Sequence, residues 1–362
     1  MQRVSGAVNE AKRKRFFRLL YNGERQGIKM QLLVITPQEA GQRFDRFLEK
    51  YMGQAPKGFF YKMMRKKNIT LNGKKAEGKE RLVAGDEIRL FLAPETIEKF
   101  RGNRVVMTAA TEQAELNIVF EDENVLVVNK PQGMLSQKAQ KTDVSLTEYI
   151  TKYLMTTEEQ ERSVFRPGVC NRLDRNTTGL IVAGKTVAGL QCFNRLFRER
   201  KLQKYYLCLV KGRLTQKAEI HGYLVKDEEH NTVTVSTAKE EGSTLIATAY
   251  EPFGHTVWQG QDYTLLKVHL ITGKSHQIRA HLQSIGYPIV GDTKYGEKRL
   301  YQLFKKEFGV KYQLLHAWKL CLQEVPYLPE KYYGVTWVAP LPEQFQNVLK
   351  EIGIEQPSGE RK

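Results

Sequence analysis

Residues 168–185 read GVCNRLDRNTTGLIVAGK, a turn-rich loop that runs straight into the strand-like GLIVAG and carries a single acid, Asp174, between Arg172 and Arg175. Asp, Asn, Thr and Gly are ordinary turn formers, so Asp174 taken alone need only cap or order the loop. A second stretch changes that weighing. Residues 269–296, HLITGKSHQIRAHLQSIGYPIVGDTKYG, predict a helix that starts near Ser275 and offers Arg279 as a basic partner for the isolated acid.

Outward from these stretches, NIVF, the turn EDEN and VLVVNKP predict a hairpin ending at a proline. KYYLCLVKG from Lys204 and YTLLKVHLIT from Tyr263 predict further strands. Helical patterns fall at about 145–154, 186–199, 275–285 and 342–350. The expectation is an α+β domain over 115–350, a mixed and largely antiparallel sheet with flanking helices, followed by a tail at 351–362.

Charge divides the chain unevenly. The formal net charge is +17, yet residues 1–104 hold 24 basic against 11 acidic residues and the remainder 33 against 29. A polyanion such as nucleic acid is the partner such a field suits. Residues 1–29 form a basic extension with the run Lys12, Arg13, Lys14 and Arg15. It reads equally as an RNA-clinging arm or as a disordered segment of little consequence.

From 30 to 94 a compact module is expected. MQLLVIT reads as a strand, and Phe44, Phe47, Leu48 and Tyr51 are spaced for one buried helix face. A second helix, about 58–67, carries Lys62, Arg65, Lys66 and Lys67 at its end, and ITLNGKKA makes a hairpin with Asn72-Gly73 at the bend. GDEIRLFL closes the unit. The order of helix, helix, hairpin and strand resembles the S-four-like RNA-binding domain, which implies RNA contact by those four basic residues. Pro94 and the polar stretch after it predict a linker over 95–114.

Several classes of function find no support. Phosphate-loop and dinucleotide-binding glycine motifs are absent. The four cysteines are scattered without a CxxC pair, which fits a reducing cytoplasm better than a disulfide framework or a zinc cluster. His276 and His281 lie five residues apart, about 140° on a helix, and are poorly placed to share a metal ion. No metal and no cofactor is expected. No apolar run suggests a signal peptide or a membrane span.

Taken in order, five segments resemble the RluA-type family of RNA pseudouridine synthases over roughly 116–340. They are VLVVNKPQGMLS, RLDRNTTGL, KYYLCLVKG, TGKSHQIRAH and LLHAWKL. The resemblance implies that Asp174 is the catalytic aspartate, Arg279 its basic partner and Tyr206 the tyrosine on which the base stacks, with Lys204 in support. Arg172, Arg175, Lys274 and His276 would contact RNA. Asn171 stands where the family commonly has His, and Gly-Lys-Ser replaces Gly-Arg-Thr at 273–275. Lys274 thereby offers phosphate a point charge where arginine would offer a planar fork.

The reaction implied breaks the bond between uracil nitrogen and ribose, turns the base and rejoins it through carbon. It needs an ionised carboxylate but no redox cofactor; attack at the anomeric carbon and attack on the uracil ring both remain open. The uridine must leave its stack to be reached. With the N-terminal module present, the resemblance points to large-subunit (23S-type) ribosomal RNA, with transfer RNA as the alternative, and to an enzyme acting as a monomer. Two rivals of other classes are a noncatalytic RNA-binding ribosome-assembly protein and a retaining glycosidase. The second would need two carboxylates about 5 Å apart, where the sequence near the site offers one obvious acid.

Overall fold

The computed structural model describes residues 24–25, 28–101, 115–140, 142–154, 164–227 and 229–356. The basic run at 12–15, most of the expected linker and the end of the tail lie outside them.

A short ladder pairs β1 (Glu24–Arg25) with β2 (Ile28–Lys29). The module then follows the expected order: β3 (Gln31–Val34), α1 (Phe44–Tyr51), α2 (Lys57–Arg65), β4 (Ile69–Leu71), β5 (Lys74–Lys75) and β6 (Glu87–Leu90). The strands form an antiparallel sheet in the order β3-β6-β4-β5. Phe44, Phe47, Leu48 and Tyr51 of α1 are all buried, as their spacing requires, and pack with Phe60, Met64, Ile69 and Ile88. At the hairpin bend Asn72 and Gly73 have φ of 50° and 73°, the paired left-handed conformation of a tight two-residue turn. Asn72 also accepts the Glu87 amide at 2.9 Å, tying the turn to β6.

Residues 95–101, where the linker is expected to begin, belong instead to α3 (Pro94–Arg101). Proline is well suited to the first turn of a helix, where its missing N–H costs nothing. Ile97 is buried and Phe100 packs on Phe59 at 4.9 Å, so this helix completes the module's core.

The larger domain is built on one sheet. Its strands are β7 (Ile118–Glu121), β8 (Val125–Lys130), β9 (Gly168–Val169), β10 (Thr178–Gly184), β11 (Leu202–Lys211), β12 (Ala218–Asp227), β13 (Thr232–Ser236), β14 (Thr244–Trp258), β15 (Gln261–Leu270), β16 (Leu315–Leu322) and β17 (Thr336–Val338). The main order is β13-β12-β14-β15-β11-β16-β10-β8-β7, with β9 on β10 and β17 on β16. Every pairing is antiparallel except β10 with β16. The mixed, largely antiparallel α+β expectation therefore holds.

At the parallel junction the chains approach closely. Gly179 has a φ of 113°, and a Cβ there would lie 2.2 Å from the Ala317 carbonyl oxygen, so only glycine fits. Beside it, Thr178 Oγ1 and His316 Nδ1 are 2.8 Å apart, with His316 Nε2 toward the Ala339 carbonyl at 3.2 Å. Burial pushes this imidazole down to about 4, so it is neutral and bridges the Thr178 hydroxyl and the Ala339 carbonyl.

Both faces of the sheet's centre are covered, because alternate residues of each strand enter different cores. Leu126, Ile181, Tyr206 and Cys208 face one side with α4 (Leu146–Leu154) and α6 (Gln277–Ser284). Val127, Leu180 and Val182 face the other with α5 (Val187–Arg198), while Leu207 and Leu209 meet α7 (Lys298–Phe308) and α8 (Glu343–Ile352). Tyr206 is thus on the face that α6 covers.

Candidate active site

The loop between β9 and β10 presents Asp174 and is tied down on several sides. Ser136 Oγ accepts the Leu173 amide at 3.0 Å and donates to the Leu173 carbonyl at 2.9 Å. Asn171 donates to the Leu180 carbonyl at 3.0 Å and accepts the Val182 amide at 2.9 Å. At this position, where the resemblance leads one to expect histidine, the side chain holds the loop against β10.

Lys130, at the end of β8, is fully buried beneath the loop. Its ammonium donates to the carbonyls of Arg175, Met134 and Pro131 at 2.9, 2.9 and 3.0 Å. Burial pulls its pKa down to about 7, against the charge of Asp174, which acts upward. Three carbonyls use all three ammonium hydrogens, so the charged form fits this nest.

Helix α6 supplies the partner. Arg279 Nη1 lies 3.0 Å from Asp174 Oδ2, while Nε and Nη2 form a fork on Asp292 at 2.6 and 2.9 Å. Asp292 is fully buried and also accepts the amides of Lys294 and Tyr295, at 2.9 and 3.0 Å. Although burial opposes its charge, the Arg279 fork and these amides hold its pKa below the ordinary carboxylate range. Arg279 is raised in turn by its two carboxylates, against the cost of its own burial.

His276 enters α6 from a left-handed residue, with φ 54°. Its Nδ1 is 2.9 Å from Tyr295 Oη and its Nε2 is 3.8 Å from Asp174 Oδ2. Burial lowers its pKa, with Asp174 acting upward. Tyr295 Oη already accepts the Val233 amide at 2.9 Å. With the phenol donating to Nδ1, the imidazole proton stands on Nε2, facing the carboxylate.

These groups open on a cleft of about 920 Å³ lined by Asp174, Tyr206 and Arg279 together. Tyr206 is buried, and desolvation followed by the charge of Asp174 raises its phenol well above the ordinary value. Arg172, Arg175, Lys204, Lys274 and His276 line the same cleft. Lys62, Arg65, Lys66 and Lys67 do not; they are exposed on the module, at the end of α2 and just beyond. Among the described residues, no group of three His, Cys, Asp or Glu is placed to hold a metal.

Three residues of the site escape a reading of the sequence: Lys130, Asp292 and Tyr295. Lys130 has a usable signal, a lysine ending an otherwise apolar strand. Asp292 also alters the count of acids, since a second carboxylate does stand close by. It is buried and occupied by Arg279, so it is not free to act across a scissile glycosidic bond as a retaining glycosidase requires.

The cleft lining holds nine Lys or Arg residues and one carboxylate, Asp174, the lining of a site that takes a polyanion around a single acid. Comparison with known proteins narrows the class. Residues 124–284 match the family model described as RNA pseudouridylate synthase. An uncharacterized RNA pseudouridine synthase of Mycoplasma pneumoniae is 32% identical over 286 residues, 78% of this chain and 85% of that protein. Ribosomal large subunit pseudouridine synthase C of Vibrio cholerae is 30% identical over 293 residues, covering 80% of this chain and 87% of the relative. The solved structure of human RNA Pseudouridylate Synthase Domain Containing 4 shares the fold, with a TM-score of 0.53 and 22% identity over 67% of this chain and 95% of that one. The chain belongs to the RNA pseudouridine synthase family, and is an isomerase acting on uridine in RNA.

Proposed function

We propose that this chain converts a uridine of large-subunit ribosomal RNA to pseudouridine, with Asp174 as nucleophile, Arg279 as its counter-charge and Tyr206 as the face on which the base rests. The observation that carries the reading is the 3.0 Å contact between Arg279 and Asp174 in a cleft shared with Tyr206. The ribosomal substrate is supported by the name of the Vibrio cholerae relative and by the basic module.

The glycosidic bond is inaccessible in a stacked helix, so the uridine is taken into the cleft, where stacking on an aromatic ring contributes about 1–3 kcal/mol. The Asp174 carboxylate then acts as nucleophile while Arg279 offsets the loss of water around it. The bond between uracil N1 and ribose C1′ breaks, the base turns, and C5 bonds to C1′ as Asp174 is set free; C5 gives up its proton and N1 takes one up, so the product is an isomer of the substrate. Arg172, Arg175, Lys204, Lys274 and His276 hold RNA in the cleft, and Lys62, Arg65, Lys66 and Lys67 hold it at a distance. The enzyme works as a monomer in the cytoplasm, a setting in keeping with its four free cysteines.

Pseudouridine mapping of total RNA from cells with and without the gene tests the substrate. Loss of one or more large-subunit ribosomal sites is expected; loss confined to transfer RNA would overturn the substrate assignment. Restoration of the missing sites by Asp174→Ala would overturn the nucleophile.

A further inference from the structure

Lys204 and Tyr206 both line the cleft, two residues apart on β11, a separation of about 6.7 Å along a strand. Lys204 is half-buried, and among the described residues no carboxylate pairs with its ammonium. Its charged surroundings are cationic. The charge that acts on it is that of Arg200, just before the strand, while Lys274, after Gly273 in the turn beyond β15, lines the same cleft. A Cβ at Gly273 would lie 3.3 Å from Lys204 Nζ, so the glycine keeps that flank of the ammonium clear. His269 on β15 also feels Lys204, and its pKa is lowered by burial and by that charge.

A cation drawn partly out of water without a counter-ion is costly, and the cost is relieved only when an anion arrives. The substrate of this cleft carries such anions along its backbone. We propose that Lys204, beside Arg200, is a phosphate subsite that grips the backbone phosphate adjoining the uridine held on Tyr206. The inference rests on the base-stacking role given to Tyr206 above and adds the grip that keeps an extruded nucleotide in place.

Burial and the charge of Arg200 pull the Lys204 pKa down to about 8. A bound phosphate favours the ammonium, so the grip is complete below pH 8 and fades as pH rises above it. His269, already below its ordinary 6.5, stays neutral across that range and does not contribute.

The test measures binding of a full-length large-subunit ribosomal RNA transcript by the whole protein, in wild type, Lys204→Met and Lys204→Arg, across salt and from pH 7 to 9.5. Lys204→Met should weaken binding by about tenfold and reduce the slope of log affinity against log salt by about 0.7–0.9, the value for one phosphate. Wild-type affinity should fall above pH 8 while Lys204→Arg, with a fixed charge, falls less. An unchanged salt slope in Lys204→Met, or parallel pH curves for wild type and Lys204→Arg, would overturn the subsite. Inorganic phosphate serves as the control, expected to bind wild type and Lys204→Met equally weakly. Tight phosphate binding that disappears in Lys204→Met would make this a free-anion site and overturn the backbone assignment. Affinity is read whether or not the uridine is converted, so failure of the subsite is distinct from an absence of pseudouridine in the transcript.

Discussion

Arg279 meets Asp174 through one nitrogen, Nη1 at 3.0 Å from Oδ2, because its Nε and Nη2 are committed to Asp292. A guanidinium is planar, so a carboxylate that holds two of its nitrogens also fixes the direction of the third. Asp292 never reaches the cleft and yet sets where the positive charge stands. Asp292→Asn keeps the shape but removes the charge. It should lower kcat by about 100-fold, the scale of a misplacement of about 1 Å, with a smaller effect on KM. Breaking the buried pair should also cost about 3–5 kcal/mol of stability, measured by denaturant unfolding.

The same pair predicts an acid limb. The folded-state pKa of Asp292 lies below its ordinary 3.8. Its contribution to stability is therefore complete above pH 3.8 and disappears as pH falls through the folded value. Unfolding midpoints measured from pH 6 down to pH 3 should show wild type losing its advantage over Asp292→Asn toward the acid end. A constant gap would mean that the carboxylate is not what Arg279 depends on.

Lys130 carries a prediction of a different kind, because it touches the loop and not the substrate. Replacing it with methionine leaves three part-buried carbonyls without that donor, at up to about 1–3 kcal/mol for each group that finds no new partner. The loop that presents Asp174 should loosen, lowering kcat in single-turnover assays while RNA affinity changes little. Equal losses in both would show that Lys130 holds RNA and not the loop.

Asp174, Tyr206 and Arg279 are legible in the sequence because each sits in a stretch whose residue order is itself distinctive. Lys130, Asp292 and Tyr295 act through other residues: Lys130 meets Arg175 and Tyr295 meets Val233 across long chain separations, and Asp292 acts only through its fork on Arg279. The strands of the sheet's centre are legible as apolar runs, but β12, β13 and β14 are not. In β14, Pro252 and Gly254 read as turn signals; the structure absorbs them as an irregularity in the pairing with β15, and the strand continues to Trp258. Helix α7 is not among the expected helices either, although Leu300 and Phe304 lie at helical spacing and are buried. Pro94 reads as a breaker where it starts a helix.

Tyr206 separates stacking from hydroxyl chemistry. Burial and the nearby Asp174 charge raise its phenol far above neutrality, so it enters the reaction protonated. Tyr206→Ala should weaken RNA binding by about 1–3 kcal/mol through loss of the ring face. Tyr206→Phe keeps that face and should bind RNA like wild type, so a fall in its kcat measures the hydroxyl alone. If Tyr206→Phe binds as poorly as Tyr206→Ala, the ring is not the surface on which the base rests.

Four basic residues at and just beyond the end of α2 give the last prediction. Lys62, Arg65, Lys66 and Lys67 are exposed. Exposed charges act on RNA mainly through release of its counterions, so their contribution is strongly salt-dependent. Replacing all four with glutamine should raise KM at about 0.15 M salt and flatten the salt dependence by about 0.7–0.9 for each phosphate no longer neutralised, depending on whether the phosphates belong to single or paired strands. The defect should shrink as salt is lowered, where other cationic groups of the cleft suffice. A KM defect of the same size at every salt concentration would show that these residues support the fold of the module and not its grip on RNA.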